Sequence, residues 1–127
     1  MNVKYSYIDC QNSRILLRVF KNEISIDDVI ESLKEILEKD MLSGNTLGII
    51  TDLRGVTIEV NIKVFKKISR FLKANPEMYK YKLAALTDSP KQVVLATIAN
   101  KVSSKLTVKP FSTFEACVKW MAEDISI

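Results

Sequence analysis

Two aspartates at similar positions are the residues of this chain best suited to chemistry. Asp52 and Asp88 each follow a threonine at the end of an apolar segment. Because the carboxyl ends of parallel strands lie at one edge of a sheet, we expect both aspartates, with Arg54 and Ser89, to surround one crevice. Paired carboxylates can perform acid–base catalysis when their pKa values differ. The simpler interpretation is that Asp52 caps its turn while Asp88 or Ser89 caps the next helix, and a passive ligand crevice is a third.

Other residues that would support catalysis are scarce. Histidine is absent, which removes the usual general base near neutral pH and the commonest zinc ligand. No glycine-rich phosphate-binding motif occurs. Cys10 and Cys117 are far apart, so we expect two reduced thiols, with Cys117 buried on a helix. We predict a chain that is not an enzyme and that holds no metal or cofactor.

Length and composition indicate one soluble domain. The 127 residues are 47% hydrophobic and 27% charged, which is typical of a single globular domain over residues 1–127. The N-terminus lacks the apolar stretch of a signal peptide, and no apolar run approaches the roughly 20 residues of a membrane span. We therefore predict a cytoplasmic protein.

A central strand organises the chain around these residues. Residues 46–52 form a short apolar, β-branched run, which predicts a strand buried on both faces. A polar turn, Asp-Leu-Arg-Gly at residues 52–55, follows it, and residues 56–60 are expected to be irregular.

The first part of the chain predicts a hairpin and then a helix. Residues 3–8 and 14–20 alternate apolar with polar side chains, which is typical of an antiparallel pair. Ser25 with Asp28 forms a capping-box pattern at the start of a helix that ends near residue 39. Its predicted apolar face consists of Ile26, Val29, Ile30, Leu33, Ile36 and Leu37.

The second part predicts three more helices and two strands. A helix over residues 61–74 is followed by a strand at 81–87, a helix that begins at Ser89-Pro90, a strand at 105–108 and a last helix capped by residues 112–115. The residues expected on their apolar faces are Ile62, Phe65, Ile68 and Leu72, then Val94, Ile98 and Val102, then Ala116, Trp120 and Met121.

The resulting order is β-β-α-β-α-β-α-β-α. Strands that alternate with helices imply right-handed crossovers, so we predict an α/β domain with a mainly parallel, mixed sheet flanked by helices.

Charge is concentrated in the middle of the chain. Residues 60–110 hold 11 basic and 2 acidic side chains, whereas the whole chain carries a net charge of +4. On the outer face of the predicted second helix, aromatic residues do not interleave with the cations, so nucleic-acid binding is not indicated. A solvated helix face is one interpretation; the other is a surface for an acidic protein, which could be the first helix of a second copy in a homodimer. The cations on the predicted second helix are Lys63, Lys66, Lys67, Arg70 and Lys73.

The element order and two segments resemble the STAS domains and the closely related SpoIIAA-like family, whose members are similar to bacterial anti-sigma factor antagonists. The segments are residues 52–55 and residues 111–121. In switch-type members the turn reads Asp-Ser-Ser-Gly and one serine is phosphorylated. Here Leu53 and Arg54 replace the two hydroxyl residues, and Thr57 is the nearest hydroxyl downstream.

The resemblance implies a regulatory binding domain that makes protein contacts through the helix after this turn. Distant relatives of the fold carry lipids or other small apolar ligands, so the alternative is a small-molecule or lipid-binding module that uses the crevice at the strand ends. Its ligand would be small and either apolar or anionic. The candidate contact residues are Asp52, Leu53, Arg54, Gly55, Thr57, Lys63, Lys66, Lys67, Arg70, Asp88 and Ser89.

Overall fold

The computed structural model describes residues 2–123 and shows seven strands and four α-helices within that range. A 3-10 helix, Pro76–Lys80, connects the second helix to the sixth strand. In chain order the elements are β1 (Val3–Cys10), β2 (Ser13–Phe20), β3 (Glu23–Ile24), α1 (Ile26–Glu38), β4 (Thr46–Asp52), β5 (Thr57–Ile58), α2 (Ile62–Ala74), β6 (Lys82–Leu86), α3 (Pro90–Asn100), β7 (Thr107–Phe111) and α4 (Phe114–Ala122).

Five strands form one mixed sheet in the order β1-β2-β4-β6-β7. β1 and β2 are antiparallel, and the other neighbouring strands are parallel. In the register, Ile50 of β4 lies between Leu17 of β2 and Ala84 of β6. The predicted hairpin, the central position of β4 and the α/β class are therefore confirmed.

Two hydrophobic clusters lie on opposite faces of the sheet. The larger cluster contains buried residues of α1, α2 and α3, such as Ile36, Ile68 and Leu95, and the smaller contains Trp120 and Met121 of α4. Such apolar burial is the main favourable term in folding. No helix within residues 2–123 has both the length and the apolar character required to cross a membrane.

β4 and β6 approach each other closely at Gly48. A Cβ atom on Gly48 would overlap the backbone carbonyl oxygen of Lys82. Glycine is therefore required here by the lack of space for a side chain. Its backbone conformation does not require it, since the φ angle of Gly48 is outside the left-handed region.

Two strand predictions need correction. Residues 56–60 are not wholly irregular, because Thr57–Ile58 forms β5, which pairs in parallel with β3 as a separate two-stranded sheet. Two residues per strand are too few to show alternation. The last strand lies at Thr107–Phe111 rather than at 105–108. It includes Pro110, which is tolerated because β7 is an edge strand.

Helix faces were predicted correctly for α1 and only in part for α2 and α3. The Ser25–Asp28 capping box is present. In α2, Ile62 is 67% exposed and Phe65 is half-buried, whereas the buried residues are Val64, Ile68, Phe71 and Leu72. Asn61 caps this helix, so Ile62 is the first helical residue and precedes Val64, where the buried face begins.

In α3, Val94 is 48% exposed, and the buried residues are Gln92, Leu95 and Ala96. The helix ends at Asn100, so Val102 lies beyond it.

The start of α4 also differs from the prediction. Thr113, not Ser112, is the N-cap and accepts from Ala116 N, so the expected pairing of Ser112 with Glu115 is wrong. Ala116 is half-buried, while Cys117 lies in the core as predicted, and Cys10 and Cys117 are both free thiols.

Candidate functional site

The turn after β4 is held by an aspartate–arginine pair. Asp52 Oδ1 accepts hydrogen bonds from Arg54 N (3.0 Å) and Nε (3.1 Å), and Oδ2 accepts from Nη2 (2.9 Å). This bidentate arrangement is the strong form of the ion pair, and the Asp52 carboxylate raises the pKa of the Arg54 guanidinium. The Arg54 side chain is nevertheless 49% exposed. The turn thus presents a cation whose direction is fixed.

The end of β6 lies beside this turn. Asp88 Oδ2 accepts from Gly55 N at 2.8 Å, and Gly55 has a φ of +76°, which glycine adopts readily. Ser89 Oγ caps α3 by accepting from Gln92 N. The structure therefore brings the predicted residues Asp52, Arg54, Gly55, Asp88 and Ser89 to one edge of the sheet, where the carboxylates serve as turn and backbone acceptors.

Gln92, which was not among the residues predicted from the sequence, forms hydrogen bonds to the segments that follow both strands, β4 and β6. Its Nε2 donates to the carbonyls of Leu53 (2.7 Å) and Val56 (3.0 Å), and its Oε1 accepts from Asp88 N (2.8 Å). Gln92 is 1% exposed and Leu53 is also buried. No sequence signal pointed to Gln92, because it does not lie on the apolar face that was predicted for α3. Because Leu53 points into the core, it supports the turn from within.

Thr57, Lys63 and Lys67 lie apart from the turn, in a surface groove. The groove measures about 850 Å³ and runs between the first turns of α1 and α2 and the β3–β5 pair. Lys67 Nζ contacts Asp27 Oδ2 of the chain's own α1 at 3.0 Å. Acidic and basic side chains therefore share this groove.

The outer face of α2 carries Lys66 and Arg70, one helical turn apart and both exposed. Five cations on this helix, hereafter the basic face, occur at spacings of three and four residues. Among residues 2–123, only Lys67 of this set has a carboxylate within 4.0 Å. The basic face consists of Lys63, Lys66, Lys67, Arg70 and Lys73.

An apolar cavity lies beneath α1, α2 and α3, and Leu53 of the turn after β4 forms part of its wall. It measures about 100 Å³, and its wall includes the buried Arg18 of β2. Arg18 Nε donates to Thr51 Oγ1 (2.7 Å) and Nη1 donates to Val29 O (3.1 Å). Burial lowers the pKa of Arg18 to about 10. Arg18 was not among the predicted site residues, although its position between Leu16 and Phe20 on one face of β2 was a usable signal.

Two observations concern thiol reactivity and metal binding in the described residues. Burial raises the pKa of the Cys117 thiol to about 11, so the thiol is protonated at neutral pH. Within residues 2–123, no three side chains of the metal-binding types form a cluster.

Comparison with known proteins shows the fold. No family model matches the chain. No curated protein sequence matches it either. Among solved structures, an uncharacterized protein of the DUF3478 family with a SpoIIAA-like fold, from Shewanella loihica PV-4, superposes with a TM-score of 0.65 at 12% identity, covering 94% of this chain and 93% of that one. The anti-sigma factor antagonist SpoIIAA in its unphosphorylated form aligns over 94% of this chain and 99% of its own, at 12% identity and a TM-score of 0.49. The predicted SpoIIAA-like fold is confirmed by the first of these.

Proposed function

We propose that this chain is a non-enzymatic regulatory domain that binds an acidic protein surface through the basic face of α2. The main support is the set of exposed cations on that helix, four of which have no carboxylate within 4.0 Å among residues 2–123. Fixed like charges on one face repel each other, and an acidic partner relieves that repulsion.

The turn at Asp52–Arg54 supports the same proposal. Arg54 is half-exposed, and two hydrogen bonds to Asp52 hold its guanidinium in place. A cation held in one conformation loses less side-chain entropy when it binds than a mobile one. We propose that the basic face attracts the acidic partner and that Arg54 orients the partner by binding it from a fixed position.

The partner is a second chain of acidic character, and one candidate is a second copy of this protein. α1 carries acidic residues such as Asp28 and Glu31 that are exposed or half-exposed. Asp27, by contrast, contacts Lys67 of its own chain. A homodimer in which α1 of one copy meets α2 of the other would join opposite charges twice by symmetry. We propose a cytoplasmic setting for either complex.

A charge-reversal pair tests the proposal. Lys66→Glu with Arg70→Glu reverses two cations of the basic face that have no carboxylate within 4.0 Å among residues 2–123, and it leaves Lys67–Asp27 intact. The matched control, Lys105→Glu with Lys119→Glu, reverses two exposed cations outside α2. Both doubles lower the net charge from +4 to zero. They therefore differ in the position of the charge and not in its amount.

Sedimentation velocity at low salt measures self-association, and cross-linked capture followed by mass spectrometry measures other partners. We expect wild type and control to form the same complexes, the α2 variant to lose them, and about 0.5 M salt to weaken them by screening. Complexes that survive in the α2 variant, or that both variants lose equally, would refute a role for this face. Circular dichroism of each variant checks that the domain is folded.

A further inference from the structure

We propose that the apolar cavity beneath α1, α2 and α3 binds a small aliphatic carboxylate, and that Arg18 holds the carboxylate group. This site is separate from the basic face, and the proposal does not depend on the protein contact proposed above.

The first support is the incomplete hydrogen bonding of Arg18. A guanidinium has five N–H donors, and residues 2–123 accept from its Nε and one Nη1 proton. Nη2 has no acceptor among these residues, although the side chain is about 95% buried. Every fully enclosed side-chain nitrogen or oxygen in the described chain has a partner. The unpaired Nη2 therefore borders open space, and the space that Arg18 lines is the cavity.

The second support is charge. No Asp or Glu in residues 2–123 lies within 4.0 Å of Arg18. The Thr51 hydroxyl, the Val29 carbonyl and the Phe20 ring, 5.2 Å from the guanidinium carbon, supply only partial negative charge. A buried cation without a counter-ion is costly. An anion in the cavity removes that cost.

With a pKa of about 10, Arg18 is charged at neutral pH. Thr51 adds a second polar group. Its hydroxyl oxygen accepts from Arg18, and its own proton has no acceptor among the described residues. Arg18 and Thr51 together thus offer several donors, one remaining hydroxyl lone pair and a positive charge, which favours a carboxylate over a neutral alcohol or a cationic amine.

The third support is the character of the wall. Apart from Arg18 and Thr51, every side chain of residues 2–123 that lines the cavity is apolar. Examples are Ile30 of α1, Phe71 of α2 and Leu95 of α3. An apolar cavity of about 150 Å³ holds a benzene molecule, so one of about 100 Å³ fits an acid with about three to five carbons. A phosphate dianion is disfavoured because it would bring two charges to one cation.

Butyrate and its neutral isostere butyramide test the proposal in solution. The Arg18 Nε–H signal in a proton–nitrogen NMR spectrum reports binding wherever Arg18 is present, and the backbone amide signal of the cavity residue Ala96 reports binding in every variant. Arg18→Met removes the charge and keeps most of the volume, whereas Ala99→Leu fills the cavity and retains the charge. Ala122→Leu makes the same change in the cluster beneath α4 and is the matched control.

We expect butyrate to shift the Arg18 signal and to bind at least tenfold more tightly than butyramide. Arg18→Met and Ala99→Leu should each weaken butyrate binding at least tenfold, and Ala122→Leu should not. The dispersion of each spectrum shows whether the variant is folded. The proposal is overturned if butyrate does not bind folded wild type, if butyramide binds equally well, or if both folded cavity variants bind butyrate as wild type does.

Discussion

Replacing Gln92 by methionine should loosen the turn that joins the ends of β4 and β6. Methionine has nearly the same length and volume as glutamine and has no amide group. Gln92 is buried and forms three hydrogen bonds through its side chain. The substitution therefore removes hydrogen bonds with little change in packing.

The expected cost follows from what each partner loses. The Leu53 carbonyl still accepts from Val56 N at 3.0 Å, so it keeps one hydrogen bond. The Asp88 N–H and the Val56 carbonyl lose the Gln92 partner. Val56 is buried, and a buried group left without a partner costs about 1–3 kcal/mol, whereas Asp88 is exposed, so water can reach its N–H. We therefore expect a loss of about 2 kcal/mol in the free energy of unfolding. Total stabilities of about 5–15 kcal/mol make this a large effect.

Urea unfolding measures this loss, and hydrogen exchange at Gly55 N, which donates to Asp88 Oδ2, shows whether it is local to the turn. Gln11→Met, at an exposed position in the β1–β2 turn, is the control and should change stability by less than about 0.5 kcal/mol. A loss below about 1 kcal/mol for Gln92→Met, with an unchanged denaturant slope, would refute the assigned role of Gln92.

Two further predictions concern the core. Gly48→Ala places a Cβ atom against the Lys82 carbonyl oxygen, so we expect a loss of about 1–3 kcal/mol in urea unfolding, and an unchanged midpoint would contradict the close approach of β4 and β6. Burial raises the pKa of the Cys117 thiol from 9.0 to about 11. The folded state then holds this proton to higher pH than the unfolded state, so stability from this group is complete below pH 9 and falls as the pH rises towards 11. Cys117→Ala lacks this dependence, and parallel stability curves for the two proteins over that range would count against it.

Features encoded by local patterns were predictable from sequence. β4 was recognisable because a short apolar, β-branched run between turn residues is typical of a strand buried on both faces. The α1 capping box was recognisable because its two partners, Ser25 and Asp28, are three residues apart.

Features that depend on distant partners were not predictable. Two of the three acceptors and donors around Gln92 are 36 and 39 residues away, and Thr51 is 33 residues from Arg18. The inward face of α2 was misjudged for a related reason. Ile62 fits the apolar period, but the packed face is set by the neighbouring helices, and they leave Ile62 exposed.

Three cations show why residue type alone does not assign a site. Arg54 is half-exposed and paired with Asp52, so much of its hydrogen-bonding capacity serves the turn. Lys66 is exposed and has no carboxylate within 4.0 Å among residues 2–123. Its positive electrostatic potential therefore extends into solvent, where it can attract an acidic protein surface. Arg18 is buried and has no carboxylate partner among residues 2–123, which is why we propose that an anion in the cavity neutralises it. Burial and pairing, which tertiary packing determines, separate a structural cation from a surface contact and from a ligand-holding group.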